Sequence, residues 1–100
     1  MTAYCERRVP LHVRDQLRMH HEIQGDSVTL FEDRARLNKP GEWTHMPIAQ
    51  FRFDQRRGRW ALYCADRNTQ WLFYPRAKPS SDLELLLRAV DEDVSGIFFG

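Results

Sequence analysis

With 100 residues, 42% of them hydrophobic, the chain has material for one hydrophobic core and too little for two ordinary domains. Its 15 Lys and Arg against 14 Asp and Glu leave a net charge of +1, which speaks against a protein held to its partner by phosphate contacts alone. No apolar run approaches the ~20 residues of a membrane-spanning helix and residues 1–8 lack the apolar stretch of a signal peptide, so a cytoplasmic protein with no membrane partner is expected.

The charge is uneven: residues 1–79 hold 14 basic and 9 acidic side chains, residues 80–100 hold 1 and 5. A mildly basic body is compatible with a polyanion partner. Cys5 and Cys64 have neither a C-x-x-C spacing nor the density of a disulfide scaffold, so reduced thiols are expected.

Taken in chain order, Thr2 can cap a short helix through Arg8, which Val9-Pro10 interrupts. From Leu17 the period becomes two, with Leu17, Met19, His21 and Ile23 on one face and Arg18, His20, Glu22 and Gln24 on the other, the pattern of a strand. Gly25-Asp26 then supplies a two-residue turn, and residues 27–34 return. That register predicts the pairs Ile23/Val28, His21/Leu30, His20/Phe31 and Arg18/Asp33. Residues 35–42 have no period and contain Pro40-Gly41, the mark of a surface loop.

A third strand is predicted over residues 48–54, after Pro47, which cannot donate to a ladder, with Ala49, Phe51 and Phe53 on its apolar face. Residues 55–58 turn the chain back into Arg59-Trp60-Ala61-Leu62-Tyr63-Cys64, pairing Phe53/Trp60, Phe51/Leu62 and Ala49/Cys64. The turn Asp66-Arg67-Asn68-Thr69 leads to a fifth strand over residues 70–74, with Cys64/Trp71 and Leu62/Phe73 as the expected pairs. Ser81 and Glu84 have capping-box spacing, and Leu83, Leu86, Leu87 and Val90 recur at i, i+3, i+4 and i+7, which predicts an amphipathic helix laid over the sheet's apolar face. Asp91-Glu92-Asp93 oppose the macrodipole and should end it; the apolar residues 96–100 should pack on the domain or on a partner. The fold class expected is therefore α+β: a five-stranded antiparallel meander with a short N-terminal helix and a C-terminal helix on one face, in a single domain over residues 1–100.

With the apolar face covered, the other face of strands three to five should show Gln50, Arg52, Ala61, Tyr63, Leu72 and Tyr74. Arg52, Tyr63 and Tyr74 are the candidate binding residues, since tyrosine and arginine on an antiparallel sheet can stack on bases and neutralise phosphates, with Arg56, Arg57 and Arg59 at the rim. The structural alternative is that tyrosine favours strands and arginine stems cover half-exposed sheet in many domains. Arg67 and Asn68 could hold a phosphate or carboxylate, although Asp and Asn are also what tight turns select.

Of the four histidines His12, His20, His21 and His45, adjacent His20 and His21 point to opposite faces and cannot share an ion, so neither a metal site nor a cofactor is expected. His20, aided by Arg18 or Arg52, could act as general base of a metal-independent ribonuclease, against the plainer role of packing on Phe31. No catalytic set is specified. Cys64 reads as buried beside Trp71, and Cys5 has no activating neighbour in the sequence.

The series Trp60-x-Leu62-Tyr63-x-x-Asp66-Arg67-Asn68-x-x-Trp71, after Gly41-Glu42-Trp43 and before Gly96-Ile97-Phe98-Phe99-Gly100, resembles a family of small bacterial proteins classed as a domain of unknown function. The resemblance covers nearly the whole chain, including Val9-Pro10-x-His12-Val13-Arg14-Asp15. In the family an aromatic often stands where this chain has Cys64, a histidine where it has Leu72 and a tryptophan where it has Phe99, within a G-I-F-[WF]-G terminus. The resemblance implies a compact bacterial domain and no particular activity. The reading that results is a non-enzymatic interaction module, for a protein partner or a second copy of itself, with single-stranded nucleic acid as the alternative ligand of the Arg/Tyr face.

Overall fold

The computed structural model describes residues 1–9 and 11–99; the expected helix break at Pro10 and the terminal Gly100 lie outside the described residues. Helix α1 (Thr2–Arg8) is followed by a 3-10 turn (Leu11–Val13), strands β1 (Leu17–Gln24), β2 (Ser27–Ala35), β3 (Trp43–Asp54), β4 (Arg59–Ala65) and β5 (Trp71–Phe73), and helix α2 (Leu83–Glu92). The strands form one antiparallel sheet in the order β1-β2-β3-β4-β5, the expected meander.

The Gly25-Asp26 turn, with Gly25 at φ 57°, locks the first hairpin into the predicted register, with Ile23 opposite Val28 and Arg18 opposite Asp33. The third and fourth strands also pair as predicted: Phe53/Trp60, Phe51/Leu62 and Ala49/Cys64. Leu30, Phe51, Leu62, Leu86 and Val90 form the fully buried centre. Tyr4 and Cys5 of α1 join Leu86, Leu87 and Val90 of α2 in the same core, so both helices sit on this inner face of the sheet. The C-terminal segment packs there too: Phe98 is buried, its ring 4.9 Å from that of Tyr74, and the Asp93 carboxylate accepts the Phe98 and Phe99 amides.

Four expectations need correction. Thr2 is the first helical residue of α1 rather than its cap; Met1 stands at the cap without a side-chain bond. Helix α2 is capped by Asp82, one residue after Ser81, its carboxylate accepting the Glu84 amide at 3.0 Å.

The third correction concerns β3, which starts at Trp43, five residues before Ile48, and runs through Pro47. Proline is tolerated because the strand bulges there: Leu30 pairs with Ala49 but Phe31 pairs with Pro47, leaving Ile48 as the extra residue. Ile48 and Ala49 are both buried, and the alternation reverses across them. Beyond the bulge, Trp43 and His45 point to the outer face.

The fourth is a one-residue shift of β5. Cys64 pairs with Leu72 and Tyr63 with Phe73, in place of Cys64/Trp71 and Leu62/Phe73. The turn explains it. Asp66 accepts the amides of Asn68 and Gln70 on one carboxylate oxygen, its own amide bonds the Gln70 carbonyl, and Thr69 takes the left-handed conformation (φ 60°). Three residues, Arg67 to Thr69, are thereby enclosed between Asp66 and Gln70, where the expected register, closing Asp66 on Thr69, enclosed two. Trp71 and Phe73 consequently turn outward, and Tyr74 turns inward.

Candidate functional site on the open sheet face

Both helices cover the inner face, and the outer face is left as a half-exposed surface of Arg18, His20, Phe31, Trp43, His45, Arg52, Tyr63, Trp71 and Phe73. Two groups of side chains are built on it.

The first spans β3 to β5. Arg52 lies over the Tyr63 ring, its guanidinium carbon 4.0 Å from the centroid, and Tyr63 meets Phe73 edge to face at 5.8 Å. A polar relay fixes the arginine: its Nε donates to Gln50 Oε1 at 2.7 Å, and Gln50 Nε2 donates to Thr29 Oγ1 at 2.9 Å. Ala61, opposite Arg52, contributes only a methyl group, so the floor stays open. The turn after β3 brings in two more cations, because Asp54 accepts the amides of Arg56 and Arg57, and Gly58 (φ 63°) closes the turn onto Arg59. The result is a cleft of about 310 Å³ walled by Arg52, Arg57, Arg59, Tyr63 and Phe73, with Asp54 its one acid. Among the described residues Arg57 pairs with Asp54 at 3.8 Å, while Arg52 and Arg59 have no carboxylate within 4 Å.

The second group spans β1 to β3. Asp33, buried on β2, lies between two imidazoles: its Oδ2 is 2.5 Å from His20 Nδ1 and its Oδ1 is 2.6 Å from His45 Nδ1. His20 stacks on Phe31 with rings 4.7 Å apart and 5° from parallel, and meets His45 edge-on at 5.6 Å. Its Nε2 faces Glu22 Oε2 at 3.7 Å. Arg18 does not pair with the Asp33 opposite it; it stacks on Trp43 at 4.3 Å. His20, Asp33 and His45 are the described residues whose side chains could hold an ion, with one ligand atom from each within 4.8 Å of the others.

The candidate residues are thus divided. Arg52 and Tyr63 are together in the cleft. Tyr74 is not: it is 5% exposed, in the core against Phe98, and Phe73 holds the place expected for it. Leu72 likewise leaves the outer face. Arg67 and Asn68 sit exposed at the β4–β5 turn, and the cavity at Arg67 shares no residue with the Arg52 cleft. His20 packs on Phe31 as the plainer reading had it, with neither Arg18 nor Arg52 among its hydrogen-bond partners.

Sequence reasoning tested His20 only against His21 and so missed Asp33 and His45; the Arg18/Asp33 pair already placed Asp33 one strand from His20, but His45 becomes visible only with the bulge. Both cysteines are buried thiols whose pKa burial pushes up, which leaves them poor nucleophiles. No helix is long and apolar enough to cross a membrane among the described residues. No curated protein and no solved structure matches the chain. The family model of the domain of unknown function DUF3024 matches residues 1–100, and the chain belongs to that family.

Proposed function

We propose that this domain is a non-enzymatic binding module whose working surface is the outer sheet face, and that its ligand is single-stranded nucleic acid. The observation that carries the reading is the cleft in which Arg52 lies over the Tyr63 ring, beside Phe73, with Arg59 free of any carboxylate among the described residues. Exposed aromatics on an antiparallel sheet accept bases of any identity by stacking, each worth about 1–3 kcal/mol, while arginines at the rim follow the phosphates. A protein partner would also use aromatics and arginine. Three arginines converging on one cleft against a single acid favour a polyanion.

The net charge of +1 sets the character of the binding: stacking leads and charge assists. Three phosphate contacts on a single strand give a slope of log K against log salt of about −2, which is roughly a 20-fold loss of affinity from about 50 to about 200 mM salt. Fluorescence anisotropy of labelled single-stranded RNA and DNA at those two concentrations tests the reading. Saturable binding with that slope, reduced by about 0.7 in Arg59→Ala, is the expected result. No binding at low salt, or binding insensitive to Tyr63→Ala, removes it.

A further inference from the structure

We propose that His20, Asp33 and His45 form a binding site for one divalent transition-metal ion, with zinc as the representative. Three strands converge to make it, and the β3 bulge is what completes it. In an unbroken ladder the residue opposite Asp33 would be Met46, and His45 would face the inner side; the extra residue at Ile48 turns His45 outward, directly opposite Asp33. A bulge that re-aims one side chain toward two others is the kind found beside functional sites.

The ligand chemistry is specific. Two imidazoles and one carboxylate suit zinc, iron, cobalt or nickel better than calcium or magnesium, which take oxygen ligands. The Asp33 carboxylate is buried, and among the described residues no lysine or arginine lies within 4 Å of it; its partners are the two histidines. A cation between the three side chains would answer that buried charge more fully than hydrogen bonds do. Support around the site is in place for His20: Phe31 fixes its ring plane, and Glu22 stands on the far side at Nε2, where a second carboxylate orients a ligating histidine.

At 2.5 and 2.6 Å each Nδ1 stands at hydrogen-bond distance from one oxygen of the carboxylate. A tetrahedral ion with bonds of about 2.1 Å keeps its ligand atoms about 3.4 Å apart, so the imidazoles must withdraw by a little under 1 Å. His45, whose side chain is 56% exposed, can do this by rotating toward solvent. Each neutral ring would then carry its single proton on Nε2 and offer the Nδ1 lone pair to the ion, a change of tautomer that releases no net proton. Three protein ligands leave at least one position to water, so the site is open rather than closed.

Calorimetric titration of the chelator-treated full chain with zinc chloride tests the proposal, with Co²⁺ absorption as the spectroscopic readout. One ion per chain, a Tm that rises with zinc concentration and Co²⁺ d–d bands are expected. His45→Ala should weaken zinc at least tenfold; because it also takes one of its two partners from the buried Asp33, His45→Gln, which keeps a donor for that carboxylate, is the folded control and should weaken zinc as well. Absence of binding by the wild type overturns the site. So does binding that His45→Ala and His20→Gln leave unchanged, or several weak ions per chain in place of one.

Discussion

Phe73 and Tyr74 exchange the roles that simple alternation assigns them, and truncating each in turn separates the two registers. Tyr74 is 5% exposed, packs against Phe98 and places its hydroxyl 3.4 Å from Ser95 Oγ. Removing a buried aromatic costs about 3–5 kcal/mol in transfer and cavity energy. For a 100-residue domain, at about 5 °C per kcal/mol, Tyr74→Ala should lower Tm by about 15–25 °C, a large part of the 5–15 kcal/mol such domains typically possess. Phe73 is 46% exposed, and its described ring contact is the edge of Tyr63, worth about 0.5–1.5 kcal/mol. Phe73→Ala should therefore cost only about 3–8 °C. It should nevertheless weaken nucleic-acid binding, which tests its place in the cleft. Thermal unfolding followed by circular dichroism, with urea titration as a check, measures both variants. A Phe73→Ala variant at least as unstable as Tyr74→Ala would mean that Phe73 pairs with Leu62 after all, and the cleft would then lack one wall.

Two further outcomes follow from the same geometry. Ala61→Leu fills the cleft floor between Arg52 and Tyr63 at a half-exposed position; it should abolish binding with a Tm change of a few degrees, and retained affinity in that variant would place the ligand elsewhere. Burial lowers the pKa of His21 from 6.5, so the unfolded chain holds more protons below that pH. Its contribution to stability is complete above about 6.5 and is lost as pH falls through that value toward the lower folded one. His21→Gln should lose less stability than the wild type between pH 7 and 5.5 in urea titrations, and equal losses would refute the assignment.

Most of the framework was legible in the sequence because short, well-formed turns fix register. Gly25-Asp26 allowed one hairpin for its flanking alternation, and the all-apolar pairs Phe51/Leu62 and Phe53/Trp60 left β3 and β4 no alternative. Two departures had sources that alternation cannot carry. At the β4–β5 turn, Thr69 adopts a left-handed conformation usual for glycine or asparagine, flanked by the Asn68 and Gln70 amides that the Asp66 carboxylate accepts, and the loop takes up one residue more than the alternation implied. At Ile48-Ala49, two consecutive buried residues conceal a bulge, and the long irregular connection from β2 supplies no independent register.

These two places decide the site. The first exchanges Tyr74 for Phe73 beside Tyr63, and the second delivers His45 to Asp33. Arg52 and Tyr63 were legible because both lie on strands whose register the sequence specified. The meeting of His20 with Asp33 and His45 was not, since it is a contact across three strands that exists only after the bulge.

The central claim, that the outer face binds single-stranded nucleic acid, is tested most directly by recording ¹H–¹⁵N spectra during titration with a short single-stranded RNA. Binding at the proposed surface should shift the amides and side-chain signals of Arg52, Ala61, Tyr63, Phe73 and Arg59 saturably, while Leu86, Leu87 and Val90 on the inner face stay in place. Shifts confined to α2 and the C-terminal segment, or no saturable shift at low salt, would contradict the account.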